Sequence, residues 1–377
     1  MIDKIFYMLD FKGNISQDPS TLKRHIIYGE KLSDYSNNRS SLLLITLNNE
    51  IESISEVQNK GVRILMLPKK DFNLAKFIVF AIGSIREKIQ EKHGVALICG
   101  NPWESYVISR IISIYFWSLP IQVQLHADIF DRNWLKLSYI NPIKLLFSYI
   151  SMKKASNLRV VSNQMSESLN SKFRIDRRKI WTTPVPLNID LATNDCFVEN
   201  RPRNIGVLSR LHHERNLEYI LKFIAKLNQE KIEFGLLVAG TGPKEAWFQK
   251  ELVKILGCER VKFCGELIDQ ELKTFWENVG LLLSPSKSES YGRSVREALY
   301  YGIPVWCFEN SGTRDLFENT KNSPVFKLRE DFMHYDIGEE FNKIVKMRTS
   351  NSFQTAYKDQ IKFDLETLFE SWEQLIP

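Results

Sequence analysis

The stretch GLLLSPSKSESYGRSVREALYYGIPVWCF (280–308) decides the fold. An apolar run, 280–286, passes through a short polar loop into a helical segment that opens after Gly292. A second apolar run, IPVWCF (303–308), follows it. Short apolar runs alternating with amphipathic segments are the pattern of parallel strands joined by crossover helices. Upstream, RNIGVLS (203–209), EFGLLVAG (233–240) and RVKFCG (260–265) repeat the run. The first half repeats it at 4–10, 41–47, 63–68, 96–99, 121–127, 158–162 and 179–185, with helices expected over 20–33, 73–92, 102–118, 141–155 and 163–173. Pro102 suits a first helical turn and Pro120 ends the helix begun there. Between the halves, TTPVPLNIDLATNDCFVENRPR (182–203) carries Pro184, Pro186 and Pro202 without periodicity, a linker composition. A last helix is expected over 352–374, where Phe353, Tyr357, Ile361, Leu365, Phe369 and Trp372 recur at three- and four-residue spacing. The expected fold is α/β, with two doubly wound domains facing a central cleft: residues 1–185, a linker at 186–203, residues 204–350, and a C-terminal helical segment at 351–377.

The composition agrees with two such domains. The chain has 377 residues, too many for one ordinary core, and its 44% hydrophobic and 25% charged residues are globular values. The N-terminus reads as lacking a signal-type apolar run. The longest uncharged stretch, Ile111 to Ala127, is broken by Pro120 and falls short of the ~20 residues of a spanning helix. Five cysteines form no CxxC pair and are odd in number, which points to a reducing cytosol and no structural zinc. Charge is uneven. Residues 1–190 hold 26 Lys and Arg against 17 Asp and Glu, a net +9, and the remainder holds 25 against 28, a net −3. A basic first half suits an anionic partner or is simply a solvated surface. No nucleic-acid module or basic-aromatic stripe is present, so nucleic acid is not expected.

Ligands of doubly wound sheets sit beyond the carboxyl ends of the strands. After the strand at 280–286, a loop carries Glu289, and Gly292 opens a helix containing Glu297. Both carboxylates are expected to face the space before the helix, where Gly292, Arg293 and Ser294 offer unpaired N–H groups to an anion. Carboxylates also accept from pairs of sugar hydroxyls. The plainer reading makes Glu297 a helix-start glutamate favoured by the dipole. After 203–209 come Arg210 and Arg215, whose guanidinium forks suit phosphate oxygens, or are two solvated loop residues. Gly240 and Gly242 mark a strand-to-helix turn that needs no ligand to explain it. His126 ends a strand, with Asp128 two residues on, and is a site candidate or a structural histidine.

Together these segments resemble the family 4 glycosyltransferases, retaining enzymes of the GT-B fold. The likeness is strongest over about 203–320 and topological over 1–180. It lies in Ser-x-x-Glu-x-Tyr-Gly, a second Glu and Gly-x-Pro-Val at 286–305, with Arg-Leu at 210–211 and Gly-x-Gly-Pro at 240–243. The resemblance implies that Glu289 contacts the donor hexose, Glu297 binds the ribose hydroxyls, and Arg210 and Arg215 act on the diphosphate. By the same likeness Gly265, Glu266 and Leu267 frame the base, His126 lies near the donor sugar, and the FKGN loop with Gly13 faces the diphosphate. The chain departs from the family at Ser209 for Gly, Arg215 for Lys, a lone Gly13 for two glycines, and Ser311-Gly312 with Asp315 for the Gly-Gly-x-x-Glu turn. The resemblance also implies that the last helix crosses back to the first domain.

The expected function is transfer of a hexose-type sugar from a UDP- or GDP-sugar to a glycan or lipid-linked acceptor of a bacterial-type surface polysaccharide. A GT-B epimerase or hydrolase, or a non-catalytic nucleotide or carbohydrate binder, are the alternatives. No Asp-x-Asp motif occurs, so neither a bound metal nor a cofactor is expected. Tyr115-Phe116-Trp117 and Trp134 to Phe147, beside Lys136, Lys144, Lys153 and Lys154, suggest a cytoplasmic protein touching an anionic membrane. The alternative makes those aromatics core residues of amphipathic helices.

Overall fold

The computed structural model describes residues 3–136, 138–185, 187, 201–318, 324–346 and 351–376. It divides into two compact units, Met1–Pro184 with Phe363–Pro377, and Val185–Lys362. Most of the expected linker, 186 and 188–200, lies outside the described residues.

The first unit runs β1 (Lys4–Asp10), α1 (Asn14–Gln17), α2 (Pro19–Tyr35), β2 (Ser40–Asn48), β3 (Ser55–Asn59), β4 (Val62–Pro68), α3 (Leu74–Gln90), β5 (Gly94–Cys99), α4 (Glu104–Tyr115), β6 (Ile121–Leu125), α5 (Arg132–Lys136), α6 (Asn141–Lys154), β7 (Asn157–Val160), α7 (Asn163–Phe173) and β8 (Ile180–Thr182). Its sheet has the order β3-β4-β2-β1-β5-β6-β7-β8, with only β3 antiparallel to its neighbour. The strands are read so easily because a parallel strand covered on both faces is apolar throughout. β2, SSLLLITLN, is buried at eight of its nine positions. Caps set the helix starts: the Asp18 carboxylate accepts from Ser20 and Thr21 N–H ahead of α2, and Ser162 Oγ from Met165 N–H ahead of α7.

Right-handed crossovers place successive helices that step the same way on one face of a sheet. The connections β5-α4-β6-α6-β7 step away from the centre, so α4 and α6 share a face. α2 steps the other way and lies opposite. There Phe6, Met8, Leu42 and Leu44 pack with Tyr28 and Leu32 of α2 and with Leu368, Phe369 and Trp372 from the chain's last helix. Trp372 Nε1 also donates to Gln122 Oε1 at 2.9 Å, so that helix is tied to the sheet by packing and by a buried polar contact.

The second unit runs β9 (Asn204–Leu208), α8 (Leu217–Gln229), β10 (Gly235–Ala239), α9 (Glu245–Leu256), β11 (Val261–Gly265), α10 (Asp269–Glu277), β12 (Leu281–Ser284), α11 (Arg293–Tyr300), β13 (Val305–Cys307), α12 (Arg314–Glu318), β14 (Val325–Lys327), α13 (Ile337–Lys346) and α14 (Asn351–Glu373), the last continuing into the first unit. Its sheet is wholly parallel, in the order β11-β10-β9-β12-β13-β14.

Several boundaries differ from expectation for local reasons. β3, SEVQN, was not expected: it is a polar, largely exposed edge strand without an apolar run. β14 has three residues and also lies at an edge. The helix expected from Pro102 starts at Glu104, because Asn101 Oδ1 accepts from Trp103 N–H at 2.9 Å and holds Pro102 in a turn. The strand expected over 121–127 stops at Leu125, which frees His126 from the sheet.

Candidate functional site

In the second unit the strand order reverses between β9 and β12, so the crevice outside their carboxyl ends is the ligand position this topology offers. Arg215 leaves the loop after β9 on a single 3-10 turn, His213–Arg215. It forms an ion pair with Glu289 on the loop after β12, and its Nη1 donates to Ser286 Oγ at 3.5 Å. Asn216, in the left-handed region at φ 56°, ends that turn, and its Nδ2 donates to Pro285 O at 3.2 Å. Adjacency of β9 and β12 thus joins two loops 74 residues apart. Arg215 Nε lies 4.0 Å from Glu214, buried and with no hydrogen-bond acceptor. A guanidinium with one arm on a carboxylate and a buried donor to spare suits an incoming anion. Arg210 behaves differently. Its side chain is 73% exposed and pairs with Glu214 at 2.7 Å, not with Glu289.

The two glutamates differ in exposure and partner. Gly292 caps α11 at φ 69° and no side chain caps the helix start, leaving Arg293 and Ser294 half-buried in its first turn. Glu297 falls on the inward side of α11 and is only 4% exposed. Arg293 Nε donates to its Oε1 at 2.8 Å. Burial pushes the Glu297 pKa up and the Arg293 charge opposes that rise. Glu289 is thus part-exposed beside Arg215, and Glu297 is buried against Arg293.

The glycines serve loop-to-loop approach. A Cβ on Gly240, at φ 115°, would stand 2.0 Å from Ser209 O, and one on Gly242 would stand 2.5 Å from Leu211 O. Gly240 N–H donates to Gly265 O at 2.6 Å. The loops after β9, β10 and β11 are thereby stacked backbone on backbone. Beyond Gly265, Glu266 is exposed and Leu267 packs on the core.

Two residues that sequence reasoning did not single out hold the β12 and β13 loops together. Arg296, 7% exposed, donates through Nε to Tyr291 O at 2.9 Å and through Nη2 to both Asp315 oxygens at 3.0 and 2.9 Å. Asn310 Nδ2 donates to Ser286 O at 2.9 Å. The available signal for Arg296 was its place one position before Glu297 on a short helix with an inward charged residue. Asn310 carried none.

The first unit presents His126 beyond β6. Its Nε2 lies 3.2 Å from Gln124 Oε1, which also accepts from Arg159 Nη1 at 3.1 Å. Gln124 Nε2 donates to Gln122 Oε1 at 3.2 Å, the oxygen Trp372 also uses. An amide oxygen only accepts, so the network assigns the His126 proton to Nε2. The ring is exposed at its surface yet set deep among protein atoms. That desolvation, with the Arg159 charge, holds its pKa well below the ordinary value. Asp128 is buried, its Oδ1 accepting from Phe130 N–H at 3.0 Å. Gly13 is also buried, with Leu47 O 2.2 Å from where a Cβ would stand, so close packing explains this glycine.

A cavity of about 610 Å³ opens beyond β13 and β14, lined by Phe308, Lys327, Arg329, Glu330 and Glu340. It lies away from the switch point and contains none of the expected site residues. Among the described residues no group of three or more His, Cys, Asp or Glu is placed to hold a metal ion.

Residues 196–348 match the model of the family described as Glycosyl transferases group 1. The glycosyltransferase YqgM of Bacillus subtilis is 22% identical over 207 residues, 55% of this chain and 57% of that protein. The GtfA subunit of a Streptococcus pneumoniae UDP-N-acetylglucosamine–peptide N-acetylglucosaminyltransferase is 22% identical over 266 residues, 68% of this chain and 52% of that protein. The chain thus spans about half the length of these curated relatives. The crystal structure of Anabaena HepE in complex with UDP and glucose matches with a TM-score of 0.68 at 13% identity, covering 98% of this chain and 99% of that one. The fold is GT-B.

Proposed function

With the group 1 match of the second unit as premise, we propose that this chain is a glycosyltransferase. It takes a hexose-type sugar from a UDP- or GDP-sugar, with retention, and passes it to a glycan or lipid-linked acceptor in surface-polysaccharide synthesis at the cytoplasmic side. The observation that carries this reading is the Arg215–Glu289 pair at the β9/β12 switch point, with Arg215 Nε unused. Support comes from HepE, whose structure holds UDP and glucose.

In this reading a diphosphate takes over the Arg215 fork and releases Glu289 to accept from sugar hydroxyls. Arg210, on the same loop and mostly exposed, adds its charge to the leaving phosphate, whose negative charge grows as the glycosidic bond breaks. Cationic side chains supply that stabilisation, so the proposal includes no divalent metal. Glu297 takes the ribose hydroxyls once Arg293 turns away, and Gly265 to Leu267 frame the base. His126, neutral at pH 7, offers a hydrogen bond to the donor sugar without adding charge.

Thermal-shift screening against UDP, GDP and their sugars tests the site, because a ligand that binds only the folded chain stabilises it by mass action. A shift with a nucleoside diphosphate that Arg215→Ala abolishes supports the reading. No shift with any of them, or one that ignores Arg215→Ala, overturns it. Sugar transfer to acceptor, rather than release of free sugar, separates a transferase from a hydrolase.

A further inference from the structure

Helices α4 and α6, neighbours on one face of the first unit's sheet, bury small polar side chains while leaving large apolar ones exposed. On α4 the residues turned inward include Ser105, Ser109 and Ser113, 8%, 1% and 0% exposed, at strict four-residue steps. On α6 they include Asn141, Ser148 and Ser151, each 5% exposed or less. Ser148 Oγ accepts from Trp103 Nε1 at 3.0 Å, which links the start of α4 to α6. Tyr106, Ile108 and Ile112 of α4 and Met152 of α6 are buried as well, but many of the large apolar side chains point out. Ile111 and Ile114 on α4, and Ile143, Leu146, Phe147 and Ile150 on α6, are 44% to 63% exposed. A helix of a water-facing surface carries the reverse arrangement, and a contiguous apolar face of this kind marks an interaction surface. Trp117, 95% exposed, follows α4, and Tyr139, 88% exposed, precedes α6.

The charges on these two helices are positive but for Glu104 at the start of α4, which pairs with Lys12 at 2.9 Å. From Ser105 to Ala127 and from Arg132 to Ser166 the chain has no Asp or Glu, while Arg110, Lys136, Lys144, Lys153 and Lys154 fall in those spans. Lys144 Nζ sits 4.6 Å over the Trp103 ring and Lys153 Nζ donates to Arg174 O, while Lys136 at the end of α5 and Lys154 at the end of α6 are exposed. A second copy meeting this face about a two-fold axis would set cations against cations. An anionic bilayer meets both properties. Isoleucine, leucine and phenylalanine enter the boundary between headgroups and acyl chains, Trp and Tyr favour that interface, and lysines meet lipid phosphates. No described helix is long and apolar enough to cross a membrane, so such contact lies in the plane of the surface.

We propose that the α4–α6 face docks the chain on an anionic lipid bilayer by inserting its outward apolar side chains, with Lys136 and Lys154 selecting the negative surface. This surface is independent of the nucleotide reading, and either stands if the other fails. Cosedimentation of the full chain with vesicles of phosphatidylcholine mixed with phosphatidylglycerol, against phosphatidylcholine alone, tests it. Binding is expected to be ~10-fold or more stronger to the anionic vesicles and to weaken in high salt. Ile114→Glu with Leu146→Glu, at exposed positions that leave the thermal melt unchanged, should cut binding ~10-fold. Lys136→Gln with Lys154→Gln should remove most of the preference for phosphatidylglycerol. Brominated lipid should quench Trp fluorescence in the native chain and less in Trp117→Phe. The proposal falls if vesicles are not bound, or if binding ignores the Ile114→Glu and Leu146→Glu pair. It also falls if those changes instead dissolve a dimer in lipid-free solution, since the face would then be a self-contact.

Discussion

At the scale of single residues, the Arg215–Glu289 pair joins two groups with separate expected duties. A mutual ion pair holds both in place before a ligand arrives, and a phosphate must compete with Glu289 for the same fork. Removing Glu289 should therefore leave nucleotide binding intact or tighter while transfer collapses. Glu289→Ala is expected to lower turnover ~100-fold or more, the loss typical of one positioned polar group at a transition state. Steady-state rates beside calorimetric affinity for UDP and GDP would reveal this, and unchanged turnover in the folded variant would remove Glu289 from the chemistry. Arg215→Lys keeps the charge but loses the planar guanidinium, whose Nη1 reaches both Glu289 and Ser286. It should fall between native and Arg215→Ala in diphosphate affinity. Another residue-scale consequence concerns acid. His25 is buried, with Nδ1 2.7 Å from Thr21 O, and burial pushes its pKa down to about 4. The unfolded chain takes up that proton near pH 6.5 and the folded one does not, so stability is lost as pH falls from about 6.5 towards 4. The loss is on the order of 3 kcal/mol at the acid end. Melting temperatures between pH 7 and 4.5 should decline less steeply for His25→Gln; parallel curves would show that His25 does not set the acid response.

At the scale of elements, close approach of loops decides how the site is assembled. Gly240→Ala would force a Cβ to 2.0 Å from Ser209 O at a φ of 115°. The loop carrying Arg210 and Arg215 must then shift, and nucleoside diphosphate affinity is expected to drop ~10-fold or more even if the unit stays folded, as for any misplaced positioning group. Retained affinity with a lower melting temperature would show that the turn matters for stability alone. The last helix provides the matching test in the first unit. Trp372 is fully buried against Phe6, with ring centroids 5.7 Å apart, and bonds to Gln122. Trp372→Ala should cost about 3–5 kcal/mol by leaving a large cavity and by removing one of the two donors to Gln122 Oε1. Chemical denaturation measures this, and a loss below about 1 kcal/mol would mean the helix is not part of that core.

At the scale of the whole molecule, a donor present at 100 times its dissociation constant should raise stability by about 2.7 kcal/mol. The shift and the transfer rate should both survive chelation of divalent ions. Loss in EDTA restored by magnesium or manganese would replace the arginine-based account of the leaving diphosphate. Much of this architecture was legible without coordinates, because strands covered on both faces, such as β2 and β12, must be apolar throughout, and glycines and arginines at strand ends announce loops. β3 and β14 were not legible, since edge strands need no such run. Glu289 and Arg215 were legible as candidates, but not as a pair. Their meeting depends on β9 lying beside β12, an adjacency that no local pattern encodes over 74 residues. Arg296 and Asn310 were hidden for the same reason, as their partners lie on loops that only the folded sheet brings near. Helix α6 shows the limit most plainly. In α6 the apolar residues Ile143, Leu146, Phe147 and Ile150 recur at helical spacing, so periodicity yields an apolar stripe without saying whether it faces in. Only the tertiary structure decided that Ser148 and Ser151 face in and that this stripe faces out. The periodicity of a helix fixes the angle between its faces, whereas the space left beside the sheet chooses which face is buried.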